Sequence, residues 1–104
     1  MQSYRVETLR LIEKQSGFLR LIYFLHKNGE KQITAIIDNA GIPVHQVYSS
    51  VQKAKEMGLI DTRIDTKSYP NRNMVSLTEK GRKMGDKLIE MIDLLNSDQV
   101  HFLQ

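Results

Sequence analysis

Across Gly58 the hydrophobic pattern changes period, and that change limits the folds open to this chain of 104 residues. Upstream, in VHQVYSSVQKAKEMG, the residues Val47, Val51 and Ala54 recur at helical spacing. Downstream, in LIDTRIDT, Ile60, Thr62 and Ile64 alternate with Asp61, Arg63 and Asp65, which is the period of a strand. KSYPNRN (67–73) is a polar turn-forming stretch, and MVSLT resumes the alternation with Val75 and Leu77 directed inward. A helix thus runs through a glycine into a β-hairpin, and the rest of the chain must pack around that unit.

The other segments are helical. Residues 4 to about 14 place Val6, Leu9 and Ile12 on one stripe before Ser16 and Gly17 interrupt it. Phe18, Leu21, Ile22 and Leu25 follow the i, i+3, i+4, i+7 spacing of one buried face, and Asn28-Gly29 ends that helix. Thr34 is expected to cap a short helix to about Asn39 that buries Ile36, Ile37 and Ala40. Gly41 then turns the chain, Ile42 points inward, and Pro43 opens the helix quoted above. After the hairpin, Thr78 is expected to cap a long last helix, in which Met84, Leu88, Met91 and Leu95 form a heptad-like seam widened by Ile89 and Ile92. The expected fold is mostly α with a small β-hairpin: three short helices and a hairpin make a winged helix-turn-helix at 16–78. An extra N-terminal helix (1–15) and a long C-terminal dimerisation helix (79–104) flank it.

Composition removes several function classes. The chain has no cysteine, which excludes disulfides, thiolate nucleophiles and Cys-ligated zinc. No glycine-rich phosphate loop, paired carboxylates or nucleophile with a base appears at a recognisable spacing, so no catalytic residue, metal or cofactor is assigned and an enzyme is not expected. His26, His45 and His101 are scattered without a ligand pattern and are read as surface histidines. No apolar run approaches the roughly 20 residues of a membrane span, nor does the N-terminus carry a hydrophobic leader. The expected location is the cytoplasm, associated with the nucleoid, with no membrane partner.

Charge is unevenly spread. Residues 43–83 carry eight Lys or Arg against four acids, a balance of +4, whereas residues 84–104 carry one base against four acids, or −3. A basic middle beside an acidic tail suggests one surface that faces a polyanion and another that does not.

Three short motifs carry a family resemblance. EMGLI at 56–60 resembles the exit of the recognition helix into the first wing strand of winged-helix regulators. LTEKG at 77–81 resembles their passage from the second wing strand into the next helix, and AGI at 40–42 matches their turn. Over roughly residues 17–85 the chain resembles a small MarR-like winged-helix regulator of archaeal or bacterial type. It departs from that pattern at Ala54, where a larger aliphatic is usual, and in having one long C-terminal helix where MarR-like proteins generally have two.

The resemblance implies a homodimeric transcription regulator that binds double-stranded DNA. A helix in the major groove must offer hydrogen-bonding groups to base edges while its other face stays packed. His45, Gln46, Ser49, Gln52 and Lys53 are the candidates for base contact, those nearest the helix start first. Thr34, Tyr48, Arg63, Lys67 and Arg72 are candidates for the DNA backbone, with Arg72 at the wing the choice for minor-groove insertion and Tyr48 placed either on a phosphate or against Pro43. Lys80, Arg82 and Lys83 oppose the dipole of the last helix, and phosphates are one reason for them. Val6, Leu9, Ile12, Met84, Leu88, Met91, Ile92 and Leu95 are the candidates for the dimer interface. A protein-interaction winged helix and a nonspecific chromatin-type DNA binder remain alternatives, and the resemblance identifies no particular small effector.

Overall fold

A computed structural model describes the backbone of residues 2–103 and the side chains of residues 6–97; the side chain of His101 therefore lies outside the described residues. The element order is α1 (Gln2–Lys14), α2 (Phe18–Asn28), β1 (Lys31–Gln32), α3 (Ile33–Asn39), α4 (Val44–Glu56), β2 (Ile60–Asp65), β3 (Arg72–Leu77) and α5 (Glu79–Leu103).

The apolar stripe of α2 is the centre of the molecule. Phe18, Leu21, Ile22 and Leu25 are all buried, and α4, α5 and β3 pack around them. Ile36 of α3, Ile42 of the following turn, Val47 and Ala54 of α4, Leu59, and Ile60, Val75 and Leu77 of the hairpin complete one core. Burial of four large side chains from a single helix, at roughly 1.5–3 kcal/mol each, makes α2 the main apolar contributor.

The hairpin expected from the alternation forms, with Ile60 opposite Leu77 and Asp65 opposite Arg72. It belongs to a three-stranded antiparallel sheet of order β1-β3-β2, because Lys31 and Gln32 pair with Val75 and Met74. Two residues are too few for alternation to register in a sequence. This small strand also corrects the expected cap of α3. Pairing holds Gln32 extended, so the helix starts at Ile33 with Gln32 in the cap position and no side-chain capping bond, and Thr34 lies exposed in the first turn. Only the root of β2 is inward: Ile60 is buried, but Thr62 and Ile64 are exposed and line an open cleft beside α4.

Thr78 caps α5 as expected. Its Oγ1 accepts from the backbone N–H of Gly81 at 3.0 Å and donates to the carbonyl of Gly58 at 2.7 Å, so one hydroxyl closes both the helix start and the entry to β2. Lys80 Nζ donates to the carbonyl of Met57 at 2.9 Å and Arg82 Nη1 to that of Leu77 at 3.3 Å. The positive charge at the start of α5 therefore has an intramolecular reason: Lys80 sits at the C-terminal end of α4, where the helix dipole favours a cation.

Two helices reach beyond the core. Among the described residues α1 packs against the core through Ile12 alone of its apolar stripe, leaving Val6 exposed and Leu9 59% exposed. Helix α5 has 25 residues, a length of roughly 37 Å, and packs against the core through Met84 with Leu88 buried at 8% exposure. Beyond Leu88 the seam comes out of the domain, with Met91, Leu94 and Leu95 exposed. The radius of gyration is 15.4 Å, against about 13 Å for a compact chain of this size.

Candidate nucleic-acid interface

Helix α4 divides cleanly into two faces. Val47, Ser50 and Ala54 are buried, whereas Val44, His45, Tyr48, Ser49, Gln52, Lys55 and Glu56 are exposed on one continuous arc. The inner face is held by more than apolar packing: the Ser50 hydroxyl donates to the carbonyl of Ser16 at 3.1 Å in the turn between α1 and α2. Gly17 of that turn has φ +87°, and a Cβ there would come within 2.7 Å of Ile42 Cγ2, so only glycine allows the turn to close on the α3–α4 corner. Arg20 Nη1 adds a bond of 2.6 Å to the carbonyl of Gly41 in the same corner.

The hairpin stands beside the outer arc. Lys55 Nζ donates to Thr62 Oγ1 at 2.8 Å, joining α4 to β2. A cleft of about 590 Å³ lies between them, lined on the helix by Val51, Gln52 and Lys55 and on the sheet by Thr62, Ile64 and Asn73 among others. A second cleft of about 330 Å³ brings Thr34 at the start of α3 together with Pro70, Asn71 and Arg72 of the hairpin. The outer arc of α4, the start of α3 and the hairpin tip thus adjoin one another.

Neither a protein-family model nor a curated protein sequence matches the chain. Solved structures do. A transcriptional regulator of the MarR family from Enterococcus faecalis V583 is similar over 99% of this chain and 92% of its own, with a TM-score of 0.76 and 19% identity. The PcaV transcriptional regulator from Streptomyces coelicolor, solved with its natural ligand, is similar over 99% of this chain and 78% of its own, with a TM-score of 0.75 and 16% identity. A transcriptional regulator homologue from Pyrococcus horikoshii OT3 matches over 95% of this chain and 98% of its own, with a TM-score of 0.70 and 14% identity. The fold is the winged helix-turn-helix of these regulators. In its terms α3 and α4 occupy the place of the helix-turn-helix, and β2 with β3 that of the wing.

The positions expected on the recognition helix separate into two groups. His45, Ser49 and Gln52 are exposed on the outer arc. Ser49 Oγ donates to the carbonyl of His45 at 3.0 Å, which leaves its lone pairs free to accept. Gln46 lies off that arc: it is half-buried, and its Oε1 is shut away from solvent with no partner among the described residues, facing the Gly17 turn. Lys53 lies off the arc as well. It lies half-buried on the opposite flank, in a cleft with Leu11, Lys14 and Gln15. At 3.6 residues per turn, positions 46 and 53 fall together on the side toward α1, away from 45, 48 and 52. Tyr48 is 54% exposed in the middle of the arc.

On the wing, Arg72 and Lys67 are exposed, and the backbone N–H of Lys67 donates to Asp65 Oδ1 at 3.0 Å, which shapes the start of the turn. Arg63 is otherwise occupied. Its Nε and Nη2 donate to Glu30 Oε2 and Oε1 at 2.9 and 2.6 Å, a bidentate pair bridging the outer face of the sheet. The hydrogen bond from Arg63 holds the Glu30 carboxyl below the ordinary glutamate range, and the guanidinium is stabilised in return. Lys55, Val44 and a fully exposed Tyr69 at the wing tip are surface features of the site that the pattern of charges and amides did not single out. Lys55 was visible as a base on α4, but its position over Thr62 depends on how the hairpin folds back.

His26 is not a free surface histidine. It is half-buried where α2 meets α5, close against Gly85, with Nε2 2.7 Å from Asp86 Oδ1. Among the described residues no group of three His, Cys, Asp or Glu could hold a metal, and no helix is long and apolar enough to cross a membrane.

Proposed function

We propose that the protein is a homodimeric, DNA-binding transcription regulator. The observation that carries this reading is the outer arc of α4: His45, Tyr48, Ser49 and Gln52 are exposed, and the only acid on the helix is Glu56 at its last residue. A helix so furnished presents donors and acceptors to base edges in the major groove without repelling phosphates. His45, Ser49 and Gln52 contact bases, while Thr34, Lys67 and Arg72 hold the backbone, with Arg72 toward the minor groove. The location is the cytoplasm, at the nucleoid.

Dimerisation follows from the unpartnered apolar residues. Val6, Leu9, Met91 and Leu95 are exposed on the two helices that leave the core, with Ile92 half-buried among them. Ile12, Met84 and Leu88, expected in the same interface, are already engaged within the monomer. Residues 1–15 and 79–104 form the dimerisation part and 16–78 the DNA-binding part. Two recognition helices related by a two-fold axis would enter successive major grooves about 34 Å apart and read an inverted repeat. NadR, a structure of the same fold, was solved in complex with 4-hydroxyphenylacetate, which supports a small effector here too.

Selection from random duplexes, with a salt titration of the winning sequence, tests the proposal. An enriched inverted repeat bound with a steep salt slope is expected. Failure to enrich any motif would sink sequence-specific regulation.

A further inference from the structure

The outer arc of α4 is not wholly polar. Val44, its first residue, is 53% exposed, and Tyr48 lies one turn on along the same edge with its ring equally open. Neither belongs to the core cluster, and neither lines the cleft between α4 and the wing. A β-branched residue at an exposed helix start has no advantage in helix propensity, so propensity is not what Val44 contributes there. Around this ridge stand His45, Gln52 and Lys55, with no acid on the helix before Glu56. Such a surround suits a polyanion whose groove also offers an apolar group. The major groove has one such group, the C5-methyl of thymine, which aliphatic and aromatic side chains contact directly.

We infer that Val44, continued by the ring of Tyr48, packs on the C5-methyl of a thymine in each half-site, an assignment that rests on DNA binding through α4. The hydrogen-bonding neighbours orient the helix, and the apolar ridge then separates thymine from the three bases that lack that methyl. Val44 is thus a specificity-determining residue at the start of the recognition helix, where side chains reach furthest into the groove.

The test replaces thymines one at a time by deoxyuridine in the best duplex from the random selection, which deletes the methyl and leaves base pairing intact. Affinities of the full chain are read by fluorescence anisotropy. For the wild type, at least one thymine per half-site should weaken binding about fourfold when its methyl is removed, the factor that burial of one such group supplies. Val44→Ala should bind the thymine duplex about as weakly as the wild type binds its deoxyuridine counterpart, and should no longer distinguish the two. Alanine favours the helix, and circular dichroism checks that the variant is folded. Indifference of the wild type to every deoxyuridine, or an unchanged response in Val44→Ala, would overturn the assignment while leaving DNA binding in place. If no duplex is selected at all, DNA recognition itself fails and the assignment with it.

Discussion

The Ser50 hydroxyl, buried on the inner face of α4, donates to the carbonyl of Ser16 at 3.1 Å, 34 residues earlier in the chain. That bond joins the base of α1, the helix proposed to meet a second subunit, to the helix proposed to read DNA. Ser50→Ala removes the buried hydroxyl and this bond, while the carbonyl of exposed Ser16 keeps its 3.3 Å bond from Gln15 Nε2, and should lower stability by about 0.5–1.5 kcal/mol. Urea denaturation at fixed protein concentration measures it, since a dimer's apparent stability depends on concentration.

Gly81 reverses the usual rule for helices. In an exposed helix, Gly→Ala stabilises by up to about 1 kcal/mol. At this position a Cβ would collide with the backbone carbonyl of Leu59, where α5 crosses the start of β2. Gly81→Ala should therefore destabilise the domain, by roughly 2 kcal/mol or more, because backbone cannot move aside as a side-chain end can. A thermal melt gives the sign.

Glu30 makes acid stability depend on one pair. Its folded-state carboxyl is held below the ordinary value of 4.5 by the hydrogen bond from Arg63. A depressed carboxyl contributes stability that is fully present above the unfolded value and is lost as pH falls through the folded one. The stability difference between wild type and Glu30→Gln should therefore be constant near neutrality and close on acidification below about 4.5. Both side chains are partly solvated, so the difference should also shrink in high salt. Chemical denaturation across pH and salt follows both trends.

Arg72 and Gln52 should separate affinity from specificity. Arg72→Ala should weaken binding similarly on all duplexes and lower the salt slope by about one, as loss of one phosphate contact does. Gln52→Ala should instead cost about 1–3 kcal/mol on the preferred sequence and flatten preference at one position. Salt-dependent titrations on matched and mismatched duplexes distinguish the two.

Leu95, 60% exposed on the projecting part of α5, should report the subunit contact. Leu95→Glu places a charge in the proposed apolar seam and should yield monomers by sedimentation equilibrium with the wing domain still folded. DNA affinity should fall by more than tenfold, since each half-site then binds alone.

The sequence by itself determined the elements wherever a pattern ran for several residues. The stripe Phe18, Leu21, Ile22 and Leu25, the alternation around Val75 and Leu77, and the Thr78 cap each reflect a local rule that tertiary contacts reinforce. The order of those elements was enough to indicate a winged helix. What only the tertiary structure decided was which way individual polar side chains point and what they meet. Gln46 and Lys53 have the chemistry of DNA-reading residues, but their angular positions on α4 turn them toward the α1–α2 turn. Arg63 has the charge for a phosphate, but a two-residue strand brings Glu30 across the sheet to take it. Periodicity records the buried side of an element, because burial is a property of the whole face. A polar residue's partner comes from elsewhere in the chain, at a distance that no local pattern contains.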